Sequence, residues 1–273
     1  NKVRHTRRRK PPLVKLFFFG LNYAATSTGI EFKNSSPMQA PRSINPLAQT
    51  AVLLLADIAS QHRLWGWSRL ARGTNALAAA PGLVFSKILG SGYEGGFGLK
   101  PSASRQGVFA LFETPAAADD FLNGSAVVKG YQERANEFFC ISLQAWSCRG
   151  TWDGQAIEVG TEPQATGPIA ALTRASIHVK KANAFWRYAP PSQAALEKVD
   201  GCQLAVGLGE APFLRQATFT VWDSVAHMDA YARSGAHLEA IKAAQQRGYF
   251  SESMFARFQP LTMRGVWRGT RYG

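Results

Sequence analysis

The chain has 273 residues, 46% of them hydrophobic and 18% charged, which is enough apolar material for one large domain or two small ones. Its net charge of +13 is concentrated at the start: residues 1–37 hold eight Lys/Arg and one Glu, leaving 23 basic and 17 acidic residues for all the rest. The body therefore lacks the basic, aromatic-interleaved surface of a nucleic-acid site, and no nucleic-acid partner is expected.

Residues 1–37 read as a basic, irregular N-terminal extension outside the fold. Arg7-Arg8-Arg9-Lys10 leads into Leu16-Phe17-Phe18-Phe19-Gly20-Leu21, but Lys15 and Asn22 bound this apolar run, which at about six residues is shorter than a signal-peptide core. With Asn at position 1 and the first Met at 38, read-through of upstream sequence with initiation near Met38 is expected; a signal peptide and a basic arm are the alternatives. No stretch approaches the ~20 apolar residues that span a bilayer. Cys140, Cys148 and Cys202 form no CxxC pair, and so sparse an odd count fits buried thiols in a reducing, cytoplasmic compartment.

In chain order, the predicted elements of the first half are a strand over Val52–Ile58, a helix over Leu64–Ala80 ended by Pro81-Gly82, and strands over Leu83–Leu89 and Val108–Phe112. A helical region then runs from Ala116 toward Asn136, and a closing strand covers Phe138–Trp146. The second half reads the same way: Ile169–Ile177, Ala182–Lys198, Leu204–Leu208, Ala217–Trp222, Val225–Gln246 and Phe255–Trp267. Sliding the chain against itself supports a repeat. At an offset of 119, Trp67 meets Trp186 and Leu89-Gly90 meets Leu208-Gly209; at 110, Phe109 meets Phe219; at 115, Arg149-Gly150-Thr151-Trp152 meets Arg264-Gly265-Val266-Trp267. The offset changes only across loops.

The expected fold is α+β: two tandem ferredoxin-like β-α-β-β-α-β repeats, 38–155 and 156–273, pairing their open sheet faces in the manner of a dimeric α/β barrel. The enclosure between the sheets is then the natural ligand cavity. Period-two alternation assigns Ala217, Phe219 and Val221 to the helix-packed face, so that Gln216, Thr218, Thr220 and Trp222 line the enclosure, with Val108, Ala110 and Phe112 from the first half. A one-residue register error inverts both sets. The glycine-rich stretch Gly90 to Gly98 reads as a hairpin loop at the rim. No GxGxxG between strand and helix, GxxxxGK[ST], HExxH or GxSxG occurs.

Several ordered segments resemble the spheroidene monooxygenase family: Gly167-Pro168-Ile169-Ala170-Ala171-Leu172-Thr173-Arg174-Ala175, Phe185-Trp186, Gly207-Leu208-Gly209-Glu210-Ala211-Pro212, Gln216-Ala217-Thr218-Phe219-Thr220-Val221-Trp222 and Met228-Asp229-Ala230-Tyr231-Ala232. The likeness spans about Ala51 to Gly269. It implies a carotenoid ketolase of the xanthophyll pathway that oxidises the C-2 methylene of spheroidene-type acyclic carotenoids by two successive hydroxylations, using O2 and reduced ferredoxin. It also implies haem iron as cofactor and, for so lipid-soluble a substrate, at most peripheral contact with a membrane. A non-catalytic carrier of hydrophobic molecules and a cofactor-free oxygenase of the same fold are the alternatives.

If haem is bound, an axial ligand is needed, and imidazole is a common one. His237 is the best placed of five histidines, because Ala240, Ile241 and Ala244 follow at i+3, i+4 and i+7 on the same helical face; the alternative is a surface histidine. Arg174 and Arg215 are candidate anchors for haem propionates or substrate. Arg149 and Arg264 read instead as parts of a repeated closing strand whose Trp packs in the core.

Overall fold

The apolar runs between turn signals become strands because each can bury one or both faces. In the computed structural model of the chain, the described residues are 45–273 apart from 97, 99, 164–165, 188–195, 197–198 and 212; the side chains of 236, 237, 240, 241 and 245 also lie outside the description. The expectations for residues 1–37 therefore fall outside it. The strands are β1 Thr50–Ile58, β2 Leu83–Gly92, β3 Pro101–Phe112, β4 Ala135–Gly150, β5 Ile169–Ile177, β6 Cys202–Ala211, β7 Arg215–Trp222, β8 Phe250–Trp267 and β9 Thr270–Tyr272. The helices are α1 Arg63–Arg72, α2 Pro115–Gly124, α3 Ala126–Arg134, α4 Ala182–Phe185, α5 Val225–Ala232 and α6 Gly235–Arg247.

The strands lie in the order β4-β1-β3-β2-β6-β7-β5-β8-β9, and β4 also pairs with β8, so eight strands close into one antiparallel barrel. The two seams differ. β4 and β8 pair all along Phe139 to Gly150, whereas β2 and β6 meet only at Gly90↔Gly209 and Ser91↔Leu208. Closure removes the exposed sheet edges that two separate open sheets would present.

Inside the barrel, alternate residues of all eight strands form a single apolar cluster, including Leu53, Phe109, Ile141, Leu172, Phe219 and Phe258. A second cluster lies between the sheet and helices α2 and α3, with Val52, Leu54, Val108, Ala110, Phe112 and Phe121. A third, smaller one joins Ile169, Trp222 and Met228 on the outer face of the second half. The face assignment expected from alternation is thus inverted. Ala217, Phe219 and Val221 fill the barrel, while Val108, Ala110 and Phe112 pack under helices and Trp222, hydrogen-bonded to Thr220 Oγ1 at 2.9 Å, faces outward. Gln216 and Thr218 share that outer face by alternation with Ala217. The physical reason is that a closed barrel is most apolar at its centre, so the more polar set must turn outward.

Helix limits also shift. α1 stops at Arg72, because Gly73 takes a positive φ of 58° and turns the chain well before Pro81. The single helical region expected after Ala116 is two helices: Ser125 is extended (ψ 131°), and its hydroxyl accepts the Val127 N–H to start α3. Likewise the expected Val225–Gln246 helix breaks between α5 and α6.

The repeated Arg-Gly-x-Trp-x-Gly motif closes the two barrel ends in matching ways. Asp153 and Arg268 have φ of 50° and 51°, and the following glycines, 154 and 269, have 79° and 77°. Glu252 accepts the Gly154 N–H at 2.9 Å, and Glu137 accepts the Gly269 N–H at 2.7 Å. Gly150 and Gly265 are required: a Cβ there would sit 2.0 Å from the Ser253 carbonyl oxygen or 2.2 Å from that of Phe138.

Candidate functional site

One row of residues crosses the outer face of each half. In the first half it is Ile88↔Val108↔Leu54↔Cys140, read from β2 to β4. All four side chains are buried, at 8% exposure or less, beneath the helices. The repeat offsets carry this row onto Gly207↔Thr218↔Thr173↔Phe255, which the second half pairs in the same order, from β6 to β8. Here Ile, Val and Leu are replaced by Gly, Thr and Thr, and the surface is uncovered: Thr173 is exposed, Phe255 is 41% exposed and Thr218 half-buried. The middle of a sheet is ordinarily its best-covered part. Small and hydroxylic residues beside one aromatic ring leave an exposed strip there instead, a candidate binding groove.

Aromatic clusters bound this groove at both ends. At one end, Trp222 lies 5.4 Å from Tyr231 of α5, and Arg257, two residues beyond Phe255, sits 5.4 Å from the Trp146 ring. The Arg257 Nη2 also meets Asp229 Oδ1 at 3.1 Å; burial pushes its pKa down and Asp229 opposes that. At the other end, Phe185 meets Trp186, Tyr249 and Phe250 edge-to-face at 5.4–6.1 Å. α6 belongs to this half, and its residues 237, 240, 241 and 244 lie on one helical face by spacing. The side chains of His237, Ala240 and Ile241 are outside the described residues, while Ala244 is half-buried.

Arg174 is not free to anchor a ligand. It points into the barrel and is 1% exposed, with Nη2 at 3.2 Å from Glu210 and 3.3 Å from Asp153, Nη1 on Glu252, and its guanidinium carbon 5.6 Å from the Trp152 ring. Lys87 completes the network through Asp153 and, at 3.2 Å, Glu210. Trp152 donates its indole N–H to Glu210 at 2.7 Å. Burial pushes the Glu252 carboxyl up, but hydrogen bonds from Gly154 N, Thr151 and Arg174 outweigh it and hold its pKa at about 2. Three cations, with Arg215 3.7 Å from Glu210, thus balance three carboxylates and plug one end of the barrel. The propionate-anchor reading of Arg174 is corrected on this geometry, and Arg215, half-exposed, borders the same network.

Other sequence candidates are accounted for individually. His227 Nδ1 lies 2.7 Å from Asp223 Oδ1, and His62 ends a short 3-10 turn before α1. Arg264 bonds Asn123 Oδ1 at 2.8 Å and Cys140 Sγ, so it ties β8 to β4 and α2. Among the described residues, no three His, Cys, Asp or Glu side chains converge as a metal site. The groove itself was missed by alternation. Its signal lay in comparing the two halves: outward positions that are Ile, Val and Leu in the first are Gly, Thr and Thr at the corresponding places in the second.

Among curated proteins, the chain is 58% identical over 222 residues to a spheroidene monooxygenase of Rubrivivax gelatinosus, covering 81% of this chain and 86% of that one. The chain belongs to the spheroidene monooxygenase family. A second member of the family, from Rhodobacter capsulatus, is 37% identical over 209 residues, covering 75% and 87% of the two chains. No family model matches. Among solved structures, an aldoxime dehydratase aligns over 83% of this chain and 89% of that one with 11% identity and a TM-score of 0.48, too remote to bear on activity.

Proposed function

We propose that this spheroidene monooxygenase family member is a carotenoid monooxygenase that uses the groove over Thr173, Thr218 and Phe255. In this reading the C-2 methylene of a spheroidene-type acyclic carotenoid is hydroxylated twice, and the resulting gem-diol loses water to give the ketone. O2 and electrons from a reduced ferredoxin are the co-reactants. The tandem ferredoxin-like reading belongs here too: β4-β1-β3-β2 and β8-β5-β7-β6 are the same 4-1-3-2 order, which supports duplication of one unit.

The observation that carries the reading is the row Gly207↔Thr218↔Thr173↔Phe255, uncovered where its first-half equivalent is sealed. Its floor of small and hydroxylic residues leaves room for a flat macrocycle, with the Phe255 ring available for contact and α6 carrying His237 in the same half. If haem binds there, His237 is the residue that would hold its iron, and the group would supply the O2 activation that no described side chain offers. The protein's own contribution is positional. Thr173 and Thr218 hold the floor open, Phe255 and the aromatic clusters at both ends exclude water, and the packed barrel behind keeps the floor rigid.

Refilling the groove tests this. Thr173→Leu with Thr218→Val restores the residues of the first half and is expected to leave a folded protein that loses the haem Soret band and forms no keto-carotenoid. A folded double variant with the wild-type spectrum and product would refute the assignment of the groove. A carotenoid-binding protein that yields no ketone with O2 and reductant would favour the carrier reading.

A further inference from the structure

A small basic and apolar promontory stands at the barrel end where β5 finishes, on the half that carries the groove. It is built from the turn His178–Lys181, the short α4 with Trp186, and the β6–β7 hairpin tip. Backbone and indole bonds tie these pieces together. Ile177 N donates to Leu214 O at 2.7 Å, Trp186 Nε1 donates to Phe213 O at 2.9 Å, and His178 N donates to Tyr249 O at 2.9 Å. Lys181 Nζ is held by the carbonyls of Arg247 and Gly248 at 2.7 and 2.9 Å.

Two apolar side chains project from this frame: Val179, 74% exposed, and Phe213, 49% exposed. Phe213 also has φ 67°, a left-handed conformation that a bulky L-residue adopts only at a cost and that Gly or Asn would accept freely. A half-exposed aromatic kept in a strained conformation at a hairpin tip points to a use outside the fold. The charged residues of the promontory's own turn and helix are basic. Lys180, Lys181 and Arg187 come from a stretch, 178–187, that contains no Asp or Glu. The nearby carboxylate Glu210 is 12% exposed and turned inward onto Lys87 and Arg174.

From this arrangement we propose that Val179 and Phe213 insert into the interface of an anionic lipid bilayer, with Lys180 and Arg187 meeting its headgroups. Separate protruding apolar tips ringed by cations match a membrane interface, where short insertions and headgroup attraction add. The bilayer rather than a protein partner is favoured because the basic residues accompany two exposed apolar side chains on separate loops, not one continuous apolar face. Among the described residues no helix is long and apolar enough to cross a membrane. The purpose of this contact rests on the carotenoid reading above, since a lipid-soluble substrate must be taken from lipid beside the groove; its geometry does not.

Co-sedimentation of the full chain with phosphatidylcholine vesicles, with and without phosphatidylglycerol, tests the proposal. The protein is expected to bind the anionic vesicles and to be released by salt. Lys180→Glu, Val179→Asp and Phe213→Asn should each lower partitioning by about tenfold, and Phe213→Asn should at the same time raise the melting temperature by relieving the left-handed strain. Leu64→Asp, on the exposed face of α1 at the opposite barrel end, should bind as wild type does. Wild-type protein that ignores anionic vesicles, or tip variants that bind unchanged, would overturn the proposal, as would loss of binding in Leu64→Asp alone. Sedimentation needs no turnover, so the two readings fail separately. Binding without ketone formation would sink the proposed function and leave the docking surface standing. Ketone formation in detergent by a protein that binds no vesicles would do the reverse.

Discussion

Replacing Arg174 by Met removes the centre of the ion network while keeping an unbranched side chain of similar length. Three carboxylates, Asp153, Glu210 and Glu252, then lose the guanidinium they share, and only Lys87 and the half-exposed Arg215 remain to balance them. Breaking a buried pair by deleting one partner costs about 3–5 kcal/mol, and Glu210, at 12% exposure, is the charge left with least solvent to compensate. For a unit of this size each kcal/mol moves the melting temperature by about 2–4 °C, so the expected drop is roughly 6–20 °C at neutral pH. The acid limb should change as well. The folded-state pKa of Glu252 is held at about 2 against an ordinary 4.5, so its stabilisation is complete above 4.5 and is lost as pH falls toward 2. Without Arg174 that pKa moves back up, acid unfolding begins at a higher pH, and the gap between variant and wild type narrows as the carboxylates protonate. Urea titrations followed by tryptophan fluorescence, at neutral pH and at about pH 3, measure both effects. A loss below about 1 kcal/mol at neutral pH, or a gap independent of pH, would refute the view of this network as a buried, interdependent plug.

Two further outcomes are expected. Gly150→Ala and Gly265→Ala each place a Cβ within 2.0–2.2 Å of a carbonyl oxygen at a positive φ, so each should cost about 3 kcal/mol or more and lower the thermal midpoint; a neutral melt for either would show that the closing turn can shift. His237→Ala should keep the fold, since Ala is the best helix former, while abolishing or displacing the Soret band and stopping ketone formation, whereas His62→Ala and His227→Ala should do neither; unchanged haem content in a folded His237→Ala protein removes that residue from the site.

Strand positions were legible because each is an apolar run bounded by turn residues: β5 falls on the residues expected, Ile169–Ile177, and β1 begins two residues before Val52. The interruptions at Gly73 and Ser125 were less so, since one glycine and one serine outweigh a helical composition only through a positive φ or a cap. By sequence Arg174 reads as an anchor for haem propionates or substrate, whereas the structure buries it among three carboxylates. Its partners come from residues 21, 36 and 78 positions away along the chain, and the sequence does not show that pairing.

By itself the sequence determined the strand runs, their alternation and the two Arg-Gly-x-Trp-x-Gly turn motifs, because these are local patterns. Which face of each strand turned inward was decided only by closure. Once eight strands form a barrel, its centre takes the most apolar set, so Phe109 and Phe219 went inside and Val108 and Thr218 outside. The groove is likewise tertiary. Thr173 and Leu54 occupy equivalent strand positions, and only the packing of helices over one and not the other leaves Thr173 exposed while Leu54 is sealed.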